Sequence, residues 1–281
     1  MKRLFLFFQL TVFCGLLSGQ APFPSGSEIR QFMSSTTCVV LESGNTIYNA
    51  YIRQAVTEYW NVTPYEFINQ DDFDEKRGDP AFSFLILTET RPANDKSGSS
   101  YNFLNLLQGK NVPEIGRMPE ISAIPLSAGG EDDLEYGYKL GAILLFMQNH
   151  ARLIAENPMM VGRRLLSYYN RFTPEVRNRK ILATEADLSP AIASADKIKE
   201  MYPYDFEIVS EDEIVTAIHE KTPNILILHK VGPGEDATAG FCYKMLFGTD
   251  DSGLYYYNQH RIDRNNPNGL LPADLKRFIR P

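Results

Sequence analysis

One tryptophan, three cysteines and four histidines leave this chain little material for several kinds of chemistry. The histidines are His150, His219, His229 and His260, and no two are three or four residues apart. No helix can therefore present a histidine pair to a metal ion. No G-x-x-x-x-G-K-S/T loop occurs. Gly232-Pro233-Gly234 follows an apolar run but lacks the third glycine and the helix that a dinucleotide site needs. There is no G-x-S-x-G elbow for a serine nucleophile. Two acidic clusters fail as calcium loops. Asp71, Asp72, Asp74 and Glu75 lack alternating ligands and a central glycine, and Pro267 blocks the third ligand position of the run 263–269. No cofactor or metal is expected. The lone Trp60 offers no aromatic platform for a carbohydrate.

Positive charge is also short, with 28 basic residues against 35 acidic ones. Residues 1–21 read as a secretory signal peptide, with Lys2 and Arg3 before an apolar run at 4–17 that is too short to span a bilayer. Without that segment, 26 basic residues face 35 acidic ones, a net charge of −9. Such a surface opposes phosphate backbones and anionic lipids, so nucleic acid is not an expected partner. A periplasmic or secreted location is expected. Two cysteines then remain, Cys38 and Cys242, each in an apolar strand-like run. They are either two buried thiols or a disulfide, which an exported compartment permits.

What the chain does contain is a repeated pattern. Residues 65–87 (YEFINQDDFDEKRGDPAFSFLIL) and 206–228 (FEIVSEDEIVTAIHEKTPNILIL) align without a gap. Tyr65 meets Phe206, Ile68 meets Val209, Phe73 meets Ile214, and the run 85–87 meets 226–228. Two copies of one fold share such an apolar pattern. The expected fold class is α/β, with two tandem modules at 22–157 and 180–281 joined by a basic helical linker at 158–179.

Each module reads as strand–helix–strand–helix–strand, then a hairpin and a helix. In the first, strands fall at 37–41, 65–68, 82–87, 101–107 and 121–126. Tyr48, Ile52, Ala55, Val56 and Tyr59 mark one face of a helix, and 136–157 is a long apolar helix. In the second, strands fall at 180–183, 206–209, 225–231, 241–247 and 254–262. Helices fall at 192–201, with Ile192, Ala195 and Ile198 inward, and at 272–279. Ser210 and Glu213 form a capping-box pair. Continuous apolar runs such as FSFLIL and ILILHKV suit strands covered on both faces. Parallel crossovers followed by a hairpin imply mixed sheets. Sister modules are expected to pack with pseudo-twofold symmetry, and their shared cleft is the natural binding place.

The order of elements, carried by YEFI and FEIV, FSFLIL and ILILHKV, and the hairpin FCYKMLFGTDDSGLYYYNQ, resembles the amino-terminal domain of the Tol-system translocation protein. It is similar also to curli-secretion-type and penicillin-binding-activator-type envelope domains. The TPYEFI segment and the leader resemble exported proteins of Bacteroidota. These resemblances cover most of each half. They imply non-catalytic modules that bind an envelope protein partner and assemble envelope machinery. Two rival readings stand beside that one. His229 and His260 close strands and could meet, with Glu235 or Asp236 from the neighbouring loop, as a dispersed enzyme site. Tyr255 and Tyr257 share a strand and could present a tyrosine face to a small molecule or glycan.

Overall fold

The computed structural model describes residues 22–44, 46–92, 95, 97–129, 136–162, 165–233 and 237–280. Residues 1–21, Arg163, Arg164, Gly234, Glu235 and Asp236 lie outside the described residues. A capped helix α1 (Gly26–Ser34), with no counterpart among the sequence expectations, precedes the first module. Then follow β1 (Thr36–Val40), α2 (Thr46–Tyr59), β2 (Tyr65–Ile68), α3 (Gln70–Lys76), β3 (Phe82–Thr90), β4 (Tyr101–Gln108), β5 (Glu120–Ala128) and α4 (Leu140–Glu156). After a connector containing α5 (Leu165–Asn170) come β6 (Lys180–Ala183), α6 (Ala195–Met201), β7 (Phe206–Ile208), α7 (Glu211–His219), β8 (Ile225–Val231), β9 (Phe241–Gly248), β10 (Leu254–Arg261) and α8 (Pro272–Ile279).

The two sheets have one topology. The first runs β2-β1-β3-β4-β5 and the second, read from its β7 edge, β7-β6-β8-β9-β10. In each, the first three strands pair in parallel and the rest are antiparallel. The runs FSFLIL and ILILHKV are the central strands β3 and β8. Local chemistry starts the helices where the sequence places them. Asn69 with Asp72, and Ser210 with Glu213, form reciprocal capping boxes at α3 and α7. The helix read at 192–201 begins only at Ala195, with Ser194 as its cap, so Ala195 is exposed while Ile192 and Ile198 stay buried.

The two sheets turn opposite faces toward the central core. In the first sheet Val39 and Leu85 face the central core, which α1, α2 and α4 fill, while Cys38, Val40 and Phe84 face a smaller core under α3. The equivalents of Val39 and Leu85 in the second sheet, Ile181 and Leu226, face outward onto α6 and α8. Leu182 and Ile227 face the central core instead, together with Ile214 and Ile218 of α7. The α2/α4 face of one module thus meets the α7 face of the other, and unlike faces join. The helix α4 supplies the reason. Eleven of its residues, from Leu140 round to Ile154, are buried, so it is apolar on nearly every side. A helix of that kind needs cover all round. Its own sheet, α2 and α1 cover part, and β9 and α7 cover the rest.

The connector is docked rather than solvated. Leu165, Tyr169 and Val176 are buried, and α5 lies along β10. Two of its arginines are engaged locally: Arg171 stacks on Tyr168 and Phe172, and Arg179 pairs with Asp250 and Asp251 in the β9–β10 turn.

Candidate functional site

A cavity of about 120 Å³ opens where the two modules meet. Three of its walls come from the carboxyl ends of the parallel strands β6, β7 and β8. Thr184 and Asp187 follow β6, Glu211 begins α7 after β7, and Lys230 to Pro233 close β8. The chain leaves β6 toward α6 on the outer face and leaves β7 toward α7 on the central face. That reversal opens a crevice beyond the strand ends, the usual ligand position in α/β sheets. The first module supplies the fourth wall, with Leu126 to Ala128 at the end of β5 and Tyr136, Tyr138 and Lys139 before α4.

Lys139 and Asp187 form a buried ion pair across the module boundary. Nζ lies 2.9 Å from both carboxylate oxygens, and the residues are 2% and 4% exposed. Burial alone disfavours the Lys139 ammonium. The Asp187 charge and the Tyr138 side chain outweigh that penalty, and the lysine pKa lies above its ordinary value. Asp187 is fixed in turn by Thr184, whose backbone N–H and hydroxyl both donate to Oδ2. The pair is a module clamp, because removing either partner would leave a charge uncompensated in the interior.

His229 lies beside this pair. Its Nε2–H donates to the Pro125 carbonyl at 2.8 Å, which fixes the tautomer and joins β8 to β5. Burial, reinforced by the Lys139 charge, lowers its pKa to about 4, so the ring is neutral at pH 7. The other ring nitrogen, Nδ1, is a buried acceptor with no protein partner. Asn268 repeats the pattern: its amide nitrogen donates to the Pro233 carbonyl at 2.7 Å, and its buried Oδ1 has no partner.

The other expected site residues lie elsewhere. His260 does not line the cavity; its Nε2 contacts the Pro267 carbonyl, so the histidines at the ends of β8 and β10 are not brought together. Glu235 and Asp236 are outside the described residues. Tyr255 and Tyr257 are 9% and 7% exposed and form no open tyrosine face. The connector covers them: Arg179 stacks on Tyr255, and the Asn170 side chain accepts from the Tyr257 backbone N–H. A bulge between Leu254 and Tyr256 breaks the strict alternation. Tyr255 and Tyr256 consequently share the outer core, while Tyr257 enters the central one. The disulfide does not form. Cys38 and Cys242 are buried free thiols on different sheets. Burial and the neighbouring Glu66 carboxylate push the Cys38 thiol up to about 12, which leaves it unreactive.

Sequence reading pointed to His229 and missed Lys139, Asp187 and Asn268. The Thr184-x-x-Asp187 spacing is legible as a capping box, and the structure forms one. Nothing local links it to a lysine 48 residues earlier. Among the described residues no group of His, Cys, Asp and Glu is placed to hold a metal ion, and no helix is long and apolar enough to cross a membrane. The chain matches no protein-family model, no curated protein and no solved structure.

Proposed function

We propose that this chain is a non-catalytic binding protein of the bacterial cell envelope, acting in the periplasm or outside the cell, with the inter-module cavity as its recognition site. One observation carries the reading: both modules build a single polar cavity at the strand ends of the second sheet. The leader-like segment 1–21 supports work outside the cytoplasm. A partner docking across the cleft would sense both modules together.

The rival reading is an enzyme built on Lys139, Asp187 and His229, which share one cavity. Each group is already committed. Lys139 is held as a charged pair, Asp187 is locked by Thr184, and Nε2 of His229 is spent on Pro125. The remaining base, Nδ1, has too low a proton affinity to serve well near neutral pH.

The test is a small-molecule thermal-shift screen beside an activity panel. The expected result is a ligand that raises the unfolding temperature in wild type and not in Tyr138→Ala, with no turnover of ester, glycoside or phosphoester substrates. Turnover that Tyr138→Ala removes would overturn the proposal. Cell fractionation checks the location, and a cytoplasmic pool alone would refute it.

A further inference from the structure

We infer that the inter-module cavity takes a neutral, hydroxyl-rich small molecule of sugar-ring size or less, held by its O–H groups on His229 Nδ1 and Asn268 Oδ1. The inference rests on the binding role proposed above and specifies its ligand.

The argument begins from unmatched atoms. Buried polar groups in folded proteins nearly always have partners, and an unmatched one calls for an explanation. Two of the described residues around this one cavity carry such atoms, and both atoms are acceptors. Each is fixed as an acceptor by its own side chain, because the donor end is bound to a proline carbonyl, Pro125 for His229 and Pro233 for Asn268. Fixed lone pairs repel carboxylate and phosphate oxygens. They call for O–H or N–H donors.

Charge narrows the class further. Among the described residues the charged lining groups are Lys139, Lys230, Asp187 and Glu211, two of each sign, and Lys139 and Asp187 already neutralise each other. The remaining Lys230 and Glu211 are opposite in sign, so this lining carries no net charge to favour an ion. Burial of an uncompensated ion costs far more than burial of a hydroxyl that gains a hydrogen bond. The cavity volume of about 120 Å³ sets the size, well below that of drug-sized sites. The half-buried Tyr138 ring adds an amphipathic wall suited to the C–H face of a polyol.

Gly232 provides a clean test. A Cβ at this position would collide with the Asn268 side-chain amide, so Gly232→Ala displaces the acceptor together with its hydrogen bond to the Pro233 carbonyl. Calorimetry and thermal shift on the purified chain would compare ribose, glucose and myo-inositol with gluconate, glucose 6-phosphate and glucosamine. The expected result is millimolar or tighter binding by at least one neutral member and none by its charged relatives. Gly232→Ala and Asn268→Ala should each weaken that binding about tenfold, the worth of one hydrogen bond. Both variants should unfold cooperatively like wild type. Equal binding of charged and neutral members, or neutral binding indifferent to both variants, would overturn the inference. So would an absence of binding across both series, with ordered water capping both acceptors in a crystal. Binding of the charged series alone would discard this ligand class and leave the cavity's binding role intact. Turnover of any of them would discard the binding role.

Discussion

Glu120 keeps its proton to about pH 7, because it is buried at the start of β5 and burial penalises the carboxylate. Unfolded, it would ionise near 4.5. Between those values the folded state binds the extra proton, so this residue makes stability fall as pH rises from 4.5 to 7. His150 and His229 act in the opposite sense. Burial lowers both to about 4, against 6.5 for the free ring. Between pH 6.5 and 4 the unfolded state binds their protons, so stability falls as pH falls. Two histidines outweigh one glutamate, and net acid sensitivity is expected below pH 6.5. Glu120→Gln isolates the opposing contribution. It should be more stable than wild type at pH 8, by up to about 3 kcal/mol for a shift of this size, and match it near pH 4. Urea titrations at the two pH values measure this, and an equal difference at both would show that Glu120 ionises normally. The histidines themselves were legible in the sequence. Their burial was not, because it depends on Pro125 and Tyr169 from distant elements.

At the scale of elements, α4 decides how the molecule is layered. It touches α1, α2, β5, β9 and α7, and its close approaches depend on glycine. A Cβ on Gly141 would lie 2.7 Å from the Tyr59 ring and 3.1 Å from Ile218, so the site brings together α4, α2 and α7. Gly141→Ala gains about 1 kcal/mol of helix propensity in principle. Overpacking of a filled core costs roughly 1–3 kcal/mol, and a net loss of stability is expected. A lower midpoint in denaturant is the readout, and a higher one would contradict the tight central layer. Element positions were mostly readable in advance. Apolar periodicity marked α2, β3 and β8, and a capping pair marked α7, since those signals are local. The start of α6 was read three residues early because Ile192 is buried from the preceding turn rather than from a helix. The tyrosine run was misread because a bulge and a docked connector are invisible to simple alternation.

For the whole molecule, the shared central core makes the modules interdependent. Leu182, Ile227, Tyr243 and Phe247 of the second module are buried in the same cluster as Val39, Leu85 and Ile143 of the first. Tyr101 and Tyr243, which occupy equivalent sheet positions, stack edge to face at 5.2 Å, and the Tyr101 hydroxyl accepts from the Phe241 backbone N–H. The intact chain should therefore unfold in one transition. Trp60 is the only tryptophan and sits in the first module, so its fluorescence reports that module while far-ultraviolet circular dichroism reports both. Coincident urea curves are expected. A second module that melts separately would deny the common core.

The sequence by itself determined the duplication, the central strands of both sheets and most helix starts. Those features follow from apolar periodicity, capping side chains and turn residues, whose physics reaches only a few residues along the chain. Tertiary structure decided which face of the second sheet turns inward, and thereby what the cavity contains. That choice depends on how much apolar surface remains on α4 once its own sheet is covered, a quantity summed over distant elements. The pairing of Lys139 with Asp187 and the stranded acceptors of His229 and Asn268 follow from it.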